Sequence, residues 1–206
     1  MEKKNGLKES NGIERRGQIL DAATSVFSRN GYRLTDVQDI ADNLKLGKGT
    51  VYRHFKSKRK LFTSIIERGM QRLVAELHNK TEEAGNPLER LKLAIQAHLD
   101  FFERNKELIE LFMHERSEFK DHFKPLYLKY YQEHQKRIEH IIKECIGKKL
   151  VKPVDPKGVA SVLTDLYYGV LFTAYLGEGK NSLQQKGRYI IDIFLKGIMA
   201  DKHYNK

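Results

Sequence analysis

Apolar residues return every third or fourth position along almost the whole of this chain, and nowhere do they alternate in the short, turn-bounded runs that a strand requires. The pattern predicts an all-α fold of about nine helices. Ile19, Leu20, Ala23, Val26 and Phe27 form the first stripe, which stops at Asn30-Gly31, where glycine can adopt the left-handed conformation that ends helices. The first helix is therefore expected over about 13–30. With 206 residues, 40 % of them hydrophobic, the chain can bury a sizeable core.

The next two helices are short. Thr35-Asp-Val-Gln38 reads as a capping box with Thr35 as the cap, and Val37, Ile40, Ala41 and Leu44 form the buried side. After a tight turn at residues 45–47 the pattern resumes with Val51 and Phe55. Helices this short are marginal alone and must pack on the first. Ser57 can cap a fourth helix with the stripe Leu61, Phe62, Ile65, Ile66, Leu73 and Leu77, which runs to Gly85-Asn86-Pro87, the expected domain boundary. Further helices are expected at about 88–104, 106–115, 123–147, 156–177 and 183–200, with Asp155-Pro156 and Ser182-Leu-Gln-Gln185 as starts.

Charge is concentrated where the short helices lie. Residues 1–60 hold 14 Lys/Arg against 7 Asp/Glu, and between Lys45 and Lys60 there are seven basic residues and no acidic one. Such a stretch is the footprint of a segment that meets a polyanion. Two short helices joined by a turn within it make a helix-turn-helix, whose second member can enter a DNA major groove. A phosphate-cradling loop is the rival reading of Gly47-Lys-Gly-Thr50, but that loop needs G-x-x-x-x-G-K-[ST] after a buried strand, and here a helix precedes it. Lys58, Arg59 and Lys60 open the fourth helix, where the macrodipole disfavours cations; phosphates lying beside that end would account for them.

The single cysteine, Cys145, excludes an intrachain disulfide. No apolar run approaches the length of a membrane span and the N-terminus has no apolar core, so the cytoplasm is the expected compartment, with no membrane partner. Residues 1–12 are expected as a flexible basic arm. His114, Glu118 and His122 fall at i, i+4, i+8, a conceivable metal or hydrolytic set, but Ser117 and Pro125 predict a helix break that would scatter it. No catalytic residue, metal or cofactor is expected. His98 and His134, on otherwise apolar faces, are placed to hydrogen-bond a ligand or a core partner.

Thr35-x-Val37-x-Asp39-Ile40-Ala41, followed by Lys48-Gly49-Thr50-Val51-Tyr52-x-His54-Phe55-Lys56-Ser57-Lys58-x-x-Leu61-Phe62, resembles the DNA-binding domain of TetR/AcrR-type bacterial transcriptional regulators. Ile19-Leu20-Asp21-Ala22-Ala23 and Phe27-x-x-Asn30-Gly31-Tyr32 fit its first helix. The resemblance implies a helix-turn-helix domain over 13–56, a connecting helix over 57–86, and an effector-binding and dimerisation domain over 87–206. It implies DNA contacts from Thr35, Lys48, Gly49, Thr50, Tyr52, Arg53, His54, Lys56 and Lys58, with Lys48 to Thr50 nearest the bases. The chain departs from the common pattern at Asp36, an anion near the DNA backbone, and at Lys45, in a turn that often wants positive φ.

The family is usually homodimeric through its last two helices, which implies an interface of Val162, Leu166, Val170, Ile191, Phe194, Leu195 and Ile198. An effector pocket is implied among the aromatic middle helices, with Phe102, Phe112, Tyr127, Tyr131, Tyr168 and Phe172 joining His98 and His134. The function so implied is a ligand-responsive dimeric repressor, released from a near-palindromic DNA operator by a small, largely apolar effector. The alternatives from other classes are a helical metal-dependent enzyme using the His/Glu set and an effector-independent DNA-binding protein.

Overall fold

The computed structural model describes residues 2–119, 126–177 and 181–198, apart from the side chains of residues 2–10 and Tyr127. Its helices are α1 (Glu2–Leu34), α2 (Val37–Asn43), α3 (Lys48–His54), α4 (Lys58–Thr81), α5 (Pro87–Arg104), α6 (Lys106–Phe119), α7 (Leu126–Gly147), α8 (Pro156–Tyr175) and α9 (Leu183–Tyr189). A π-helical stretch, Ile190–Leu195, continues α9 and leads into the single turn α10 (Lys196–Ile198). These elements form two compact units, Met1–Gly69 with Glu110–Leu126 and Met70–Ile109 with Tyr127–Lys206. Helices α4 and α6 give residues to both.

Local hydrogen bonding explains most of the helix starts. Asn86 accepts from the Glu89 amide ahead of Pro87, Asp155 accepts from the Lys157 and Gly158 amides ahead of Pro156, and Ser182 forms a complete capping box with Gln185. The Ser57 hydroxyl accepts from the Lys60 amide at the start of α4. The start of α2 differs from the sequence expectation: Asp36 is the cap, accepting from the Gln38 amide at 2.8 Å, while Thr35 is buried and donates its hydroxyl to the Gly31 carbonyl at 2.7 Å. Both residue types can cap. Thr35 is drawn backward because Gly31, at φ 73°, bends the end of α1 and leaves that carbonyl within reach.

In the first unit, the α1 stripe of Ile19, Leu20, Ala23, Val26 and Phe27 is buried together with Val37, Ile40, Val51, Phe55, Leu61, Phe62, Ile65 and Ile66. Phe27 meets Phe62 edge-on at 5.1 Å, and Tyr32 meets Phe62 at 5.2 Å and Phe119 at 4.9 Å. Helix α1 starts at Glu2, ahead of the expected residue 13, so residues 2–12 have helical backbone where the sequence pointed to an arm.

In the second unit, Leu91, Ile95, Leu99, Phe101, Phe102, Ile142, Ala160, Leu163 and Tyr167 form the buried centre. Helix α9 lies on α5 at Gly187, where an added Cβ would come within 3.1 Å of Gln96 and 3.3 Å of Leu99. The π-helical stretch turns Ile190 and Leu195, five residues apart, inward together. Leu195 is thereby core, only 1 % exposed, and is corrected from the expected interface: on an unbroken α-helix it would share a face with Ile191 and Ile198.

The turn between α2 and α3 holds Lys45 at φ 54°, a conformation that costs a side chain roughly 1–2 kcal/mol. Lys45→Gly should therefore raise the unfolding free energy by a net of roughly 0.5–1 kcal/mol, after glycine's extra freedom in the unfolded chain is subtracted. Urea unfolding of the two proteins, compared at equal m-value, measures it.

Candidate nucleic-acid interface and effector cavity

Helix α3 has seven residues, and only Val51 among them is buried; Phe55, just past its end, is the second anchor. Gly49, Tyr52, Arg53 and Lys56 are exposed, and Lys48, Thr50, His54 and Lys58 are half-buried. The Thr50 amide closes the first turn on the Gly47 carbonyl at 2.8 Å, and Gly47 has no side chain to cap the helix. The free amides at this end therefore face outward beside a row of cations, an arrangement suited to phosphate oxygens and base edges.

Lys48 already has a partner. Its Nζ donates to Asp36 Oδ1 at 2.6 Å. The Gln38 amide and the Lys48 ammonium hold the Asp36 carboxyl below its usual range, and the bond to Asp36 raises Lys48. Lys58 is held differently: its Nζ reaches the Arg33 carbonyl at 3.2 Å and lies 4.8 Å from the centre of the Tyr32 ring. Arg33 in turn pairs with Glu118 at 2.7 Å, and His114 packs against Gly31. The conceivable metal set is thus drawn into other contacts at two of its members, and its third, His122, lies outside the described residues.

A groove of about 610 Å³ beside α3 is lined by Arg15 and Gln18 from α1 and by Thr50, Arg53 and His54. Burial, followed by the charges of Arg53, Arg16 and Arg15, lowers the His54 imidazole. Arg15 and Gln18 were not among the expected contacts. Helical phase could have found them, since they share a face of α1 three residues apart.

The second unit contains a cavity of about 510 Å³ between α4, α5, α7 and α8. Val74, Leu77, Leu91, Ala94, Ile138 and Ile141 give it apolar walls, and His78, Arg90, His134, Lys136, Arg137, His140 and Tyr167 are its polar lining. His98 stacks on Tyr167 at 4.7 Å and meets His134 at 4.6 Å. Burial pushes both imidazoles down, His134 from its ordinary 6.5 to about 4 with help from Arg137, and pushes the Tyr167 hydroxyl well up.

Residues 19–65 match the family model described as bacterial regulatory proteins, tetR family, and residues 84–198 match that described as tetracyclin repressor-like, C-terminal domain. The chain belongs to the TetR family. Among curated relatives, the transcriptional regulator YhgD of Bacillus subtilis is 30 % identical over 78 % of this chain and 84 % of its own. The transcriptional repressor KstR2 of Mycobacterium tuberculosis is 26 % identical over 91 % of this chain and 94 % of its own. The transcriptional activator FasR of Mycolicibacterium smegmatis is 34 % identical, but the match spans only 46 % of this chain and 43 % of FasR. A solved structure of KstR2, described as a ketosteroid transcriptional regulator, superposes with a TM-score of 0.72 at 25 % identity over 91 % of this chain and 96 % of that one.

Within this TetR-family chain, the expected DNA-contacting residues gather on α3 and the start of α4, except Thr35, which is turned inward. The expected pocket residues do not gather. His134 lines the cavity with His98 behind it, whereas Phe102 is core, Phe112 lies in the first unit, and Phe172 is 46 % exposed. Tyr131 donates its hydroxyl to Asp165 at 2.5 Å and packs on Tyr168 at 5.0 Å, away from the cavity lining. The Tyr127 side chain lies outside the described residues.

Asp36→Asn keeps the α2 cap, since asparagine caps as well as aspartate, and removes the charge from Lys48. The variant should bind random-sequence duplex more tightly, with a log–log salt slope steeper by about one phosphate contact, measured by anisotropy at several salt concentrations. The buried histidines give a second expectation. A base whose folded-state pKa lies below its unfolded value loses stability as pH falls from about 6.5 toward 4. Denaturant titrations should show a loss on the order of 2 kcal/mol between pH 7 and 5 that His134→Gln reduces.

Proposed function

We propose that this TetR-family protein is a homodimeric repressor whose two α3 helices occupy successive major grooves of a near-palindromic operator, and whose second-unit cavity receives the small molecule that releases it. The reading is carried by α3: Val51 and Phe55 point inward, so Lys48, Gly49, Thr50, Tyr52, Arg53 and His54 are left to meet DNA. Lys56 and Lys58 then meet phosphate. Repression is favoured over activation because the relative named a repressor matches over 94 % of its length, whereas the named activator matches over 43 %.

Dimerisation is supported by an apolar stripe on α8, where Val162, Leu166, Phe172 and Leu176 are 39–52 % exposed at helical spacing, and by Tyr189 and Ile193 beyond it. Val170, Ile191, Phe194 and Ile198, all half-buried, belong to the same proposed interface, and Leu195 does not. Symmetry would set the two recognition helices about 34–36 Å apart. Regulation rather than catalysis is proposed because Glu118 is engaged by Arg33, and no group of His, Cys, Asp and Glu among the described residues could hold a metal ion. None of the described helices is long and apolar enough to cross a membrane.

A gel-shift titration against the promoter of its own gene and against random DNA tests the reading. A repressor of this kind prefers its promoter by at least ~10³-fold; equal affinity for both would sink the operator model. Lys48→Ala or Thr50→Ala should relax the sequence preference, whereas Lys58→Ala should weaken binding to all DNA alike.

A further inference from the structure

The cavity of the second unit carries more polar chemistry than an apolar ligand needs. Arg90, Lys136, Arg137 and three histidines enter it, and none of the described residues that line it is acidic. Glu144 is the carboxylate that approaches this set. It already accepts from Arg90 Nη2 and His140 Nε2, so its charge is met. Arg137 and Lys136 give the cavity an excess of positive charge.

Two nitrogens in the lining are shielded from solvent and have no partner among the described residues: Arg90 Nε and His134 Nε2. His98 Nδ1, behind His134, is in the same condition. Leaving buried donors unmade is costly, and a cluster of them in one wall marks a place where an acceptor from outside completes the bonding. The groups around His134 agree on the sign of that acceptor. From α5 it faces His98 and Arg90, from α8 Tyr167, from α4 His78, and along its own helix Arg137, so every neighbour is neutral or positive.

Resting on the effector reading given above, we infer that the cavity takes an apolar molecule ending in a carboxylate, with Arg90 Nε and the His134 ring meeting the acid and the aliphatic walls taking the body. A neutral hydroxyl or carbonyl would satisfy His134 but leave the excess positive charge unanswered, and a cation would add to it. Burial among cations keeps the empty site's imidazoles neutral. A carboxylate beside His134 reverses that balance, so binding draws one proton from solvent onto the ring.

Isothermal titration of the full chain with decanoate, decan-1-ol and decyltrimethylammonium, in two buffers of different ionisation enthalpy, tests the inference. Decanoate should bind at least ~10-fold tighter than decanol, take up close to one proton, and bind more tightly as pH falls from about 8 to about 6, while the cation does not bind. His134→Gln should abolish the proton uptake and bring decanoate and decanol within about twofold of each other, with retained promoter binding showing that the variant is folded. Equal binding of decanol, or preferential binding of the cation, overturns the acid-taking cavity and leaves a ligand-responsive regulator standing. If none of the three binds, the inference also falls. Release of promoter DNA by a small-molecule extract of cells then shows whether the effector reading survives it.

Discussion

The recognition surface depends on two side chains, Val51 and Phe55. A seven-residue helix cannot pay its own nucleation cost, and α3 has no side-chain cap to help it. Burying Val51 and Phe55 in the core of the first unit fixes both the position and the rotation of α3. That rotation decides which residues face out. The cations, the glycine and the threonine of α3 are a readable set only because the opposite side of the helix is fastened. The ring of Phe55 also supports the Arg16 guanidinium at 4.7 Å, so the same anchor carries charge from α1 to the edge of α3.

A second layer holds that domain from behind. Tyr32, Phe62 and Phe119 meet in edge-on and tilted contacts, Lys58 lies over Tyr32, and Arg59 lies over Phe119 at 5.0 Å. Glu118 and Phe119 come from α6, whose earlier residues Leu108 and Ile109 belong to the other unit. A shift in α6 would therefore be felt at Arg33 and Lys58. Such coupling has meaning only if an effector distinguishes two positions of the helix by its affinity.

The helix starts were legible wherever a cap acts on its own neighbours, as at Asn86, Asp155 and Ser182, because the hydrogen bond spans three residues and needs nothing from the rest of the fold. Between Thr35 and Asp36, both good caps, the choice fell to Gly31, whose bend offers Thr35 another acceptor. The α3 anchors were legible because spacing alone separates Val51 and Phe55 from the residues between them. The cavity was not. Arg90, His134 and Tyr167 meet only when three helices far apart in sequence turn particular faces to one another, and aromatic content pointed to residues that became core or surface. His98 and His134, 36 positions apart, were visible as odd polar residues on apolar faces, but their stacking with Tyr167 is a product of tertiary packing.

The π-helical stretch after α9 acts as a phase adjuster. A π turn is an α-helix that has absorbed one extra residue, and each residue of an α-helix advances the face by about 100°. Residues 190–195 therefore let the segment place Ile190 and Leu195 on α5's side while Ile193 stays 72 % exposed. Removing any one residue there would restore a regular helix and rotate everything that follows, moving Ile198 off the face it now shares with Ile191. The number of residues in this stretch thus carries information that no single side chain in it does, and a deletion would scramble the surface more thoroughly than any substitution.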